Sequence, residues 1–383
     1  MNEDRATRYH RLRRRAEALG LLAAGVLLVT LLATGWSLSI REAGSILGMI
    51  VGHGWEEAGT VAGATIGLLV LLQIVELPFA FYQGFVLEHR YGLSNERLGQ
   101  WSADHAKGAA LGVGFGILGA SVVYWSLRVS PVWWWALSAV IFAIAMIGLA
   151  QLAPVLLLPL FYSFKPLDRP VLVERLLTLA GRARTHVVGV YEWALSAHTK
   201  KANAALTGMG RTRRILLSDT LLTSYSDDEI EVVLAHELSH HVHHDLWRGM
   251  ALQAALLVVS FAAAHLALEA LTVPLGLAGP DDPAGLPLLL LVGGACSLVF
   301  MPLTNGLSRA HERRADRYAL AITRQPDAFI SAMKRLSQQN LAEEFPSTIV
   351  RWFFNSHPPI RERVDAARAW RASEAGGGHA GVA

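Results

Sequence analysis

The chain has 383 residues, 52% hydrophobic and only 17% charged, with a formal net charge of +3. That balance excludes a string of ordinary soluble domains and fits a multi-span membrane protein; no basic patch with interleaved aromatics is present, which argues against nucleic acid as a partner. Cys296 is the only cysteine, so neither an intrachain disulfide nor a thiolate metal cluster can form.

Arg5, Arg8, Arg11, Arg13, Arg14 and Arg15 precede the first apolar run, 18–40. The run is too long for a signal peptide and no small-residue cleavage site closes it, so it reads as a retained anchor. Further runs at 60–81, 108–127, 132–161, 249–269 and 286–307 approach the roughly 20 residues that cross a hydrocarbon core of about 30 Å. The count is six, or seven if the long run 132–161, with Pro154 and Pro159, holds two. The positive-inside rule places the N-terminus in the cytoplasm, and alternation then places 82–107, 162–248 and 308–383 there too. Those segments hold almost all the remaining Lys and Arg, whereas 270–285 has Asp281 and Asp282 and no basic residue.

This divides the chain into a four-span region (1–161), a polar segment (162–248), a two-span hairpin (249–307), a C-terminal helical part (308–372) and a disordered tail (373–383). The polar segment opens with "PLFYSFKPLDRP", whose prolines end the fourth span, and continues into the helical pattern "VLVERLLTLAGRA". "HVVGVYEW", "KANAALTG" and "RRILLSD" read as short strands of a small antiparallel sheet. Ser226 with Glu229 forms a capping box that opens the helix "DDEIEVVLAHELSHH". Beyond the sixth span "LSRAHERRADRYALAI" continues as helix, with further helices at 326–342 and 358–372.

The stretch "VLAHELSHHVHHDLW" holds five histidines. His236 and His240 lie 40° apart on a helix and about 6 Å along its axis, which suits two imidazoles on one zinc ion. His240 and His244 have the same spacing, so two registers are open. Glu237 favours the first, because in H-E-x-x-H the glutamate stands beside the ion's open position and can take a proton from water there. The competing reading is a His-rich amphipathic helix at a membrane boundary, and His241, His243 and His244 fit that reading.

A catalytic zinc needs a third protein ligand. Glu312 in "SRAHERRAD" is the strongest candidate, and Asp316, one turn on, could accept a hydrogen bond from a ligating imidazole. Both could equally pair with Arg309, Arg313, Arg314 or Arg317. Topology favours the ligand reading, since the His236 helix runs into the fifth span and the Glu312 helix runs out of the sixth.

These residues, with "FYQGFVLEHRYGLSNERLGQWSADHAKG", "LLLPLFYSFKPL", "KANAALTGMGRTRRILLSDTLL" and "NSHPPIRERV", resemble the type 1 CAAX prenyl proteases and their bacterial relatives, membrane zinc endopeptidases of the gluzincin kind. The resemblance implies a mainly α, polytopic membrane protein whose zinc protease domain, at the cytoplasmic face, carries the small antiparallel sheet. It implies one zinc ion on His236, His240 and Glu312, Glu237 as general base, and Asp316 behind the ligands. His357 and Arg363 would line the active site, His357 as an oxyanion donor, and Asn203 would mark an edge strand onto which a peptide substrate adds.

Two features depart from the family. Its eukaryotic members have seven spans around a hollow chamber, against six here. Asp245 stands where they look to carry His, a detail resembling the bacterial heat-shock membrane proteases. The expectation is therefore an integral protein of a bacterial inner membrane that cleaves peptides at the bilayer, prenylated or not. Membrane-protein quality control and a non-catalytic zinc-binding role are the alternatives.

Overall fold

The structure, a computed structural model, describes residues 4–208 and 213–377. The membrane part begins with α1 (Arg5–Ala33), α2 (Trp36–Val51) and α3 (Glu56–Phe81). Pro78 interrupts the hydrogen-bond ladder of α3, and a π-helical stretch, Tyr82–Leu87, follows it before the single turn α4 (Glu88–Arg90). Next come α5 (Leu98–Val129) and α6 (Trp134–Leu156), the latter closed by a 3-10 turn at Leu158–Leu160. The run 132–161 is therefore one crossing, and among the described residues six helices are long and apolar enough to cross a membrane.

The first crossing differs from the expected continuous span. Gly35, at φ +74°, takes a left-handed conformation suited to glycine and breaks the run between α1 and α2. Both helices run antiparallel to α3, with Gly20 of α1 beside Phe79 and Gly44 of α2 beside Ala64. α1 is the crossing; α2, about 24 Å long, continues from it in the same direction, and Arg41 at its middle donates to Asp282 of the 270–285 loop at 2.7 Å. Glycine makes its seat possible. A Cβ on Gly44 would lie 2.5 Å from the Ala64 nitrogen, and one on Gly59 or Gly63 would lie 2.6 Å from Gly48 Cα or 2.7 Å from Gly44 Cα. Without side chains in the way, the two backbones touch, the close approach that drives helix association in lipid.

The polar part holds β1 (Phe164–Pro166), α7 (Pro170–Arg182), β2 (Val190–Trp193), β3 (Ala204–Thr207), β4 (Arg214–Ser218), α8 (Asp219–Ser224) and α9 (Asp227–Val242). The sheet order is β1-β2-β4-β3, and it is mixed rather than antiparallel: β4 pairs antiparallel with β3 but parallel with β2. The reason is topological. β4 folds back on β3 and inserts beside β2, leaving β3 as an edge. Two long helices follow, α10 (Asp245–Leu271) and α11 (Leu286–Thr323), joined through a 3-10 turn at Pro283–Gly285; then come α12 (Pro326–Gln339), α13 (Thr348–Phe353) and α14 (Ile360–Gly377). Residues 378–383, the end of the expected disordered tail, lie outside the described residues.

One core joins Leu172, Leu176, Ile215, Leu217, Ile230, Leu234 and Phe329, and so packs α7, the sheet, α9 and α12 together. The first turns of α1 reach this part as well. Arg14 donates to Glu343 at 2.6 Å, His10 Nε2 lies 2.8 Å from the Leu341 carbonyl, and Arg5 donates to the Tyr91 carbonyl at 2.6 Å.

Candidate metal centre and active site

α9 starts where the sequence signals it. Ser226 Oγ accepts from Glu229 N–H, and the Glu229 carboxylate accepts from Ser226 N–H. Ile230, Val232, Leu234, Ala235 and Leu238 bury it on several sides, so the histidines it carries sit on a rigid element. α11 brings Glu312 opposite them. Glu312 Oε2 lies 3.1 Å from His236 Nε2, and Oε1 lies 3.4 Å from His240 Nε2. One ligand atom from each of the three residues falls within 4.8 Å of the others.

The far sides of both imidazoles are engaged. His236 Nδ1 lies 2.9 Å from Asp316 Oδ1, and His240 Nδ1 lies 2.9 Å from Asp245 Oδ2. With Nδ1–H donating to a carboxylate, each Nε2 presents a lone pair to the centre. Glu312 Oε2 is buried there and accepts no hydrogen bond from the described residues. Two lone pairs and a carboxylate facing one point require positive charge, so the donor set fits a divalent cation of the His₂Glu type. The same excess of negative charge acts on His236: burial lowers it, yet hydrogen bonds to Asp316 and Glu312 outweigh this and raise it to about 9, so a proton on Nε2 and a divalent cation compete for one position.

Arg363, itself buried, clamps Asp316 from behind through Nε at 2.8 Å and Nη2 at 2.5 Å. Its guanidinium is thus directed at Asp316. Asp245, which sequence reasoning singled out without giving it a role at the site, is brought under His240 by His244, whose φ of +56° makes the turn between α9 and α10. Arg314 donates to the other oxygen of Asp245. The signal was present in the sequence, but the five-residue offset from His240 matches no helical period; only the turn makes it meaningful.

Glu237 faces a cleft of about 430 Å³ lined also by Asn203, His357, Val233, Met333 and Leu336. Burial pushes its carboxyl up, against the pull of His236 and His240. His357 Nε2 lies 3.4 Å from Glu312 Oε1, while its Nδ1 lies 2.9 Å from Ser356 Oγ. Its side chain is 62% exposed, and desolvation on the face turned to the site lowers its imidazole below the usual range. Asn203 leads into β3, tied to β4 through Ser218 N–H to its carbonyl at 3.0 Å.

The other histidines do not join the centre. His244 forms the turn, His243 Nδ1 turns back to the Ser239 carbonyl at 2.9 Å, and burial pushes His241, near Arg213, down to about 4. A second convergence, of Glu96, Asp104 and His198, already holds a cation, Lys107 Nζ 2.8 Å from Asp104.

Comparison with known proteins gives two family matches: peptidase family M48 over residues 167–371, and the CAAX prenyl protease N-terminal region, described as five membrane helices, over residues 4–163. The long helices α1, α2, α3, α5 and α6 occupy that range. An uncharacterized metalloprotease, YhfN, of Bacillus subtilis is 30% identical over 78% of this chain and 71% of its own length. A CAAX prenyl protease 1 homolog of Arabidopsis thaliana is 28% identical over 77% and 70%. The crystal structure of Ste24p from S. mikatae superposes with a TM-score of 0.80 at 22% identity, covering 93% of this chain and 88% of that one.

Proposed function

This chain belongs to peptidase family M48 and is a membrane metalloprotease, and on that premise we propose that His236, His240 and Glu312 hold one zinc ion and that Glu237 is the general base. A zinc ion bound there would acidify water and polarise a peptide carbonyl. Glu237 takes the proton of the attacking water and returns it to the leaving amine. His357, neutral and with Nε2–H free to donate, steadies the developing oxyanion. Arg363 and Asp316 fix the tautomer and orientation of His236, and Asp245 does the same for His240. The peptide lies along β3 from Asn203 onward, adding as a strand to the free edge.

The observation that carries this reading is the buried Glu312 carboxylate, its two oxygens turned to two imidazoles whose Nδ1 atoms are both held by carboxylates, beside Glu237 in an open cleft. The substrate class is peptides at the membrane, lipidated ones first, as in the name of the Arabidopsis relative. Asp245 in place of histidine supports a second class, unfolded membrane proteins. The basic loops support a site on the cytoplasmic face of a bacterial inner membrane.

Purified protein, with and without a chelator, is offered a farnesylated peptide and an unfolded membrane protein. Cleavage of one of them, lost on chelation and restored by zinc, is expected. Glu237→Gln should keep stoichiometric metal while the rate falls by about 10²–10⁴. Undiminished turnover in that variant would overturn the role of Glu237.

A further inference from the structure

α13 and its flanks leave large apolar side chains uncovered: Phe345 is 65% exposed, Ile349 71% and Trp352 52%. Ile349 and Trp352 are three residues apart and so share one side of the helix. The helix is pinned by its backbone to α11. Asn305 Nδ2 donates to the carbonyls of Trp352 at 3.2 Å and Phe353 at 2.8 Å, and Arg309 donates to those of Arg351 at 2.7 Å and Asn355 at 2.6 Å.

The anchor fixes the depth. Asn305 lies inside the apolar run 286–307, and Glu312 is seven residues further along the same helix. Arg309, the second pin, is only three residues before Glu312, so at a rise of 1.5 Å per residue along the axis of α11 the pinned end of α13 sits about 5–10 Å closer to the bilayer centre than Glu312 does. Large apolar side chains uncovered at that depth are suited to lipid rather than to water. Arg361, stacked over Phe345 at 5.3 Å, and Arg351 add cationic groups suited to the headgroup layer.

From this we infer that α13, with Phe345, is inserted into the leaflet on the catalytic side and anchors the roof of the cleft to the lipid surface. The same segment runs on into Phe354, Asn355, Ser356 and His357, which line the cleft. A peptide anchored in that leaflet therefore reaches the metal centre alongside α13 without leaving the membrane. This last step rests on the proposed proteolytic function; the insertion itself does not.

The test reads the two separately. Protein carrying Cys296→Ala and Ile349→Cys, labelled with an environment-sensitive fluorophore and reconstituted into anionic vesicles, is exposed to lipids brominated in the acyl chain and to aqueous iodide. Quenching by bromolipid and protection from iodide are expected; the reverse would overturn the insertion. Quenching by neither, with cross-linking between copies through residue 349, would assign the face to a second copy and also overturn it. In the same vesicles, Ile349→Ser/Trp352→Ser should raise KM severalfold for a farnesylated peptide while leaving the rate on the unlipidated peptide unchanged. Equal losses on both peptides would overturn the role in delivery. Cleavage of neither peptide by the unaltered enzyme would remove the proposed function and leave the quenching result standing.

Discussion

Two carboxylates, Asp316 and Asp245, accept from Nδ1 of His236 and His240, the imidazoles proposed to face the metal, and each is held by its own arginine, Arg363 or Arg314. Such partners typically change metal affinity by about 10–100-fold when removed. Asp245→Ala should therefore weaken metal binding by about that factor, read by competition with a chelator, while the helical circular dichroism stays unchanged. An affinity equal to that of the unaltered protein would take Asp245 out of the site. The His-Glu pattern was legible because its spacing is the helical period, and Glu312 became credible through the pairing of two spans. Asp245 was not legible as a partner, because its meeting with His240 depends on one left-handed residue, His244.

Among the elements, helix positions followed hydropathy and capping signals closely, from the capping box at Ser226 to the proline-rich end of α6. The strands were found, yet their directions were not, since pairing between β2 and β4 is set by which neighbour β4 finds rather than by its own residues. β1 was missed for a similar reason: a three-residue strand within a proline-rich stretch has no alternation to read. The break at Gly35 was hidden because the apolar run continues through it. The glycine contact that follows is testable. Gly48→Leu would force α2 away from α3, at a cost of about 1–3 kcal/mol by the usual scale of overpacking. The melting temperature in detergent should fall, with the metal content of the folded fraction unchanged. An unshifted midpoint would mean that α2 does not depend on this contact.

For the whole molecule, an even number of crossings puts both ends of the chain and the metal centre on one side. We expect single cysteines placed at residue 165 or 361 in a Cys296→Ala background to be labelled by an impermeant thiol reagent in inside-out vesicles and protected in right-side-out cells. The opposite pattern would invert the orientation proposed here. The contact between Arg14 and Glu343 then bears on how the enzyme comes into being. The two residues stand 329 positions apart, and at about 5–20 residues per second ribosomal synthesis takes roughly 16–66 s to cover that interval. For most of that time the nascent chain has its first crossing in place but lacks Glu312, and throughout it lacks the completed rim at Leu341 to Glu343 and His357. The proposed site is thus completed only after its first crossing has waited through the synthesis of most of the described chain.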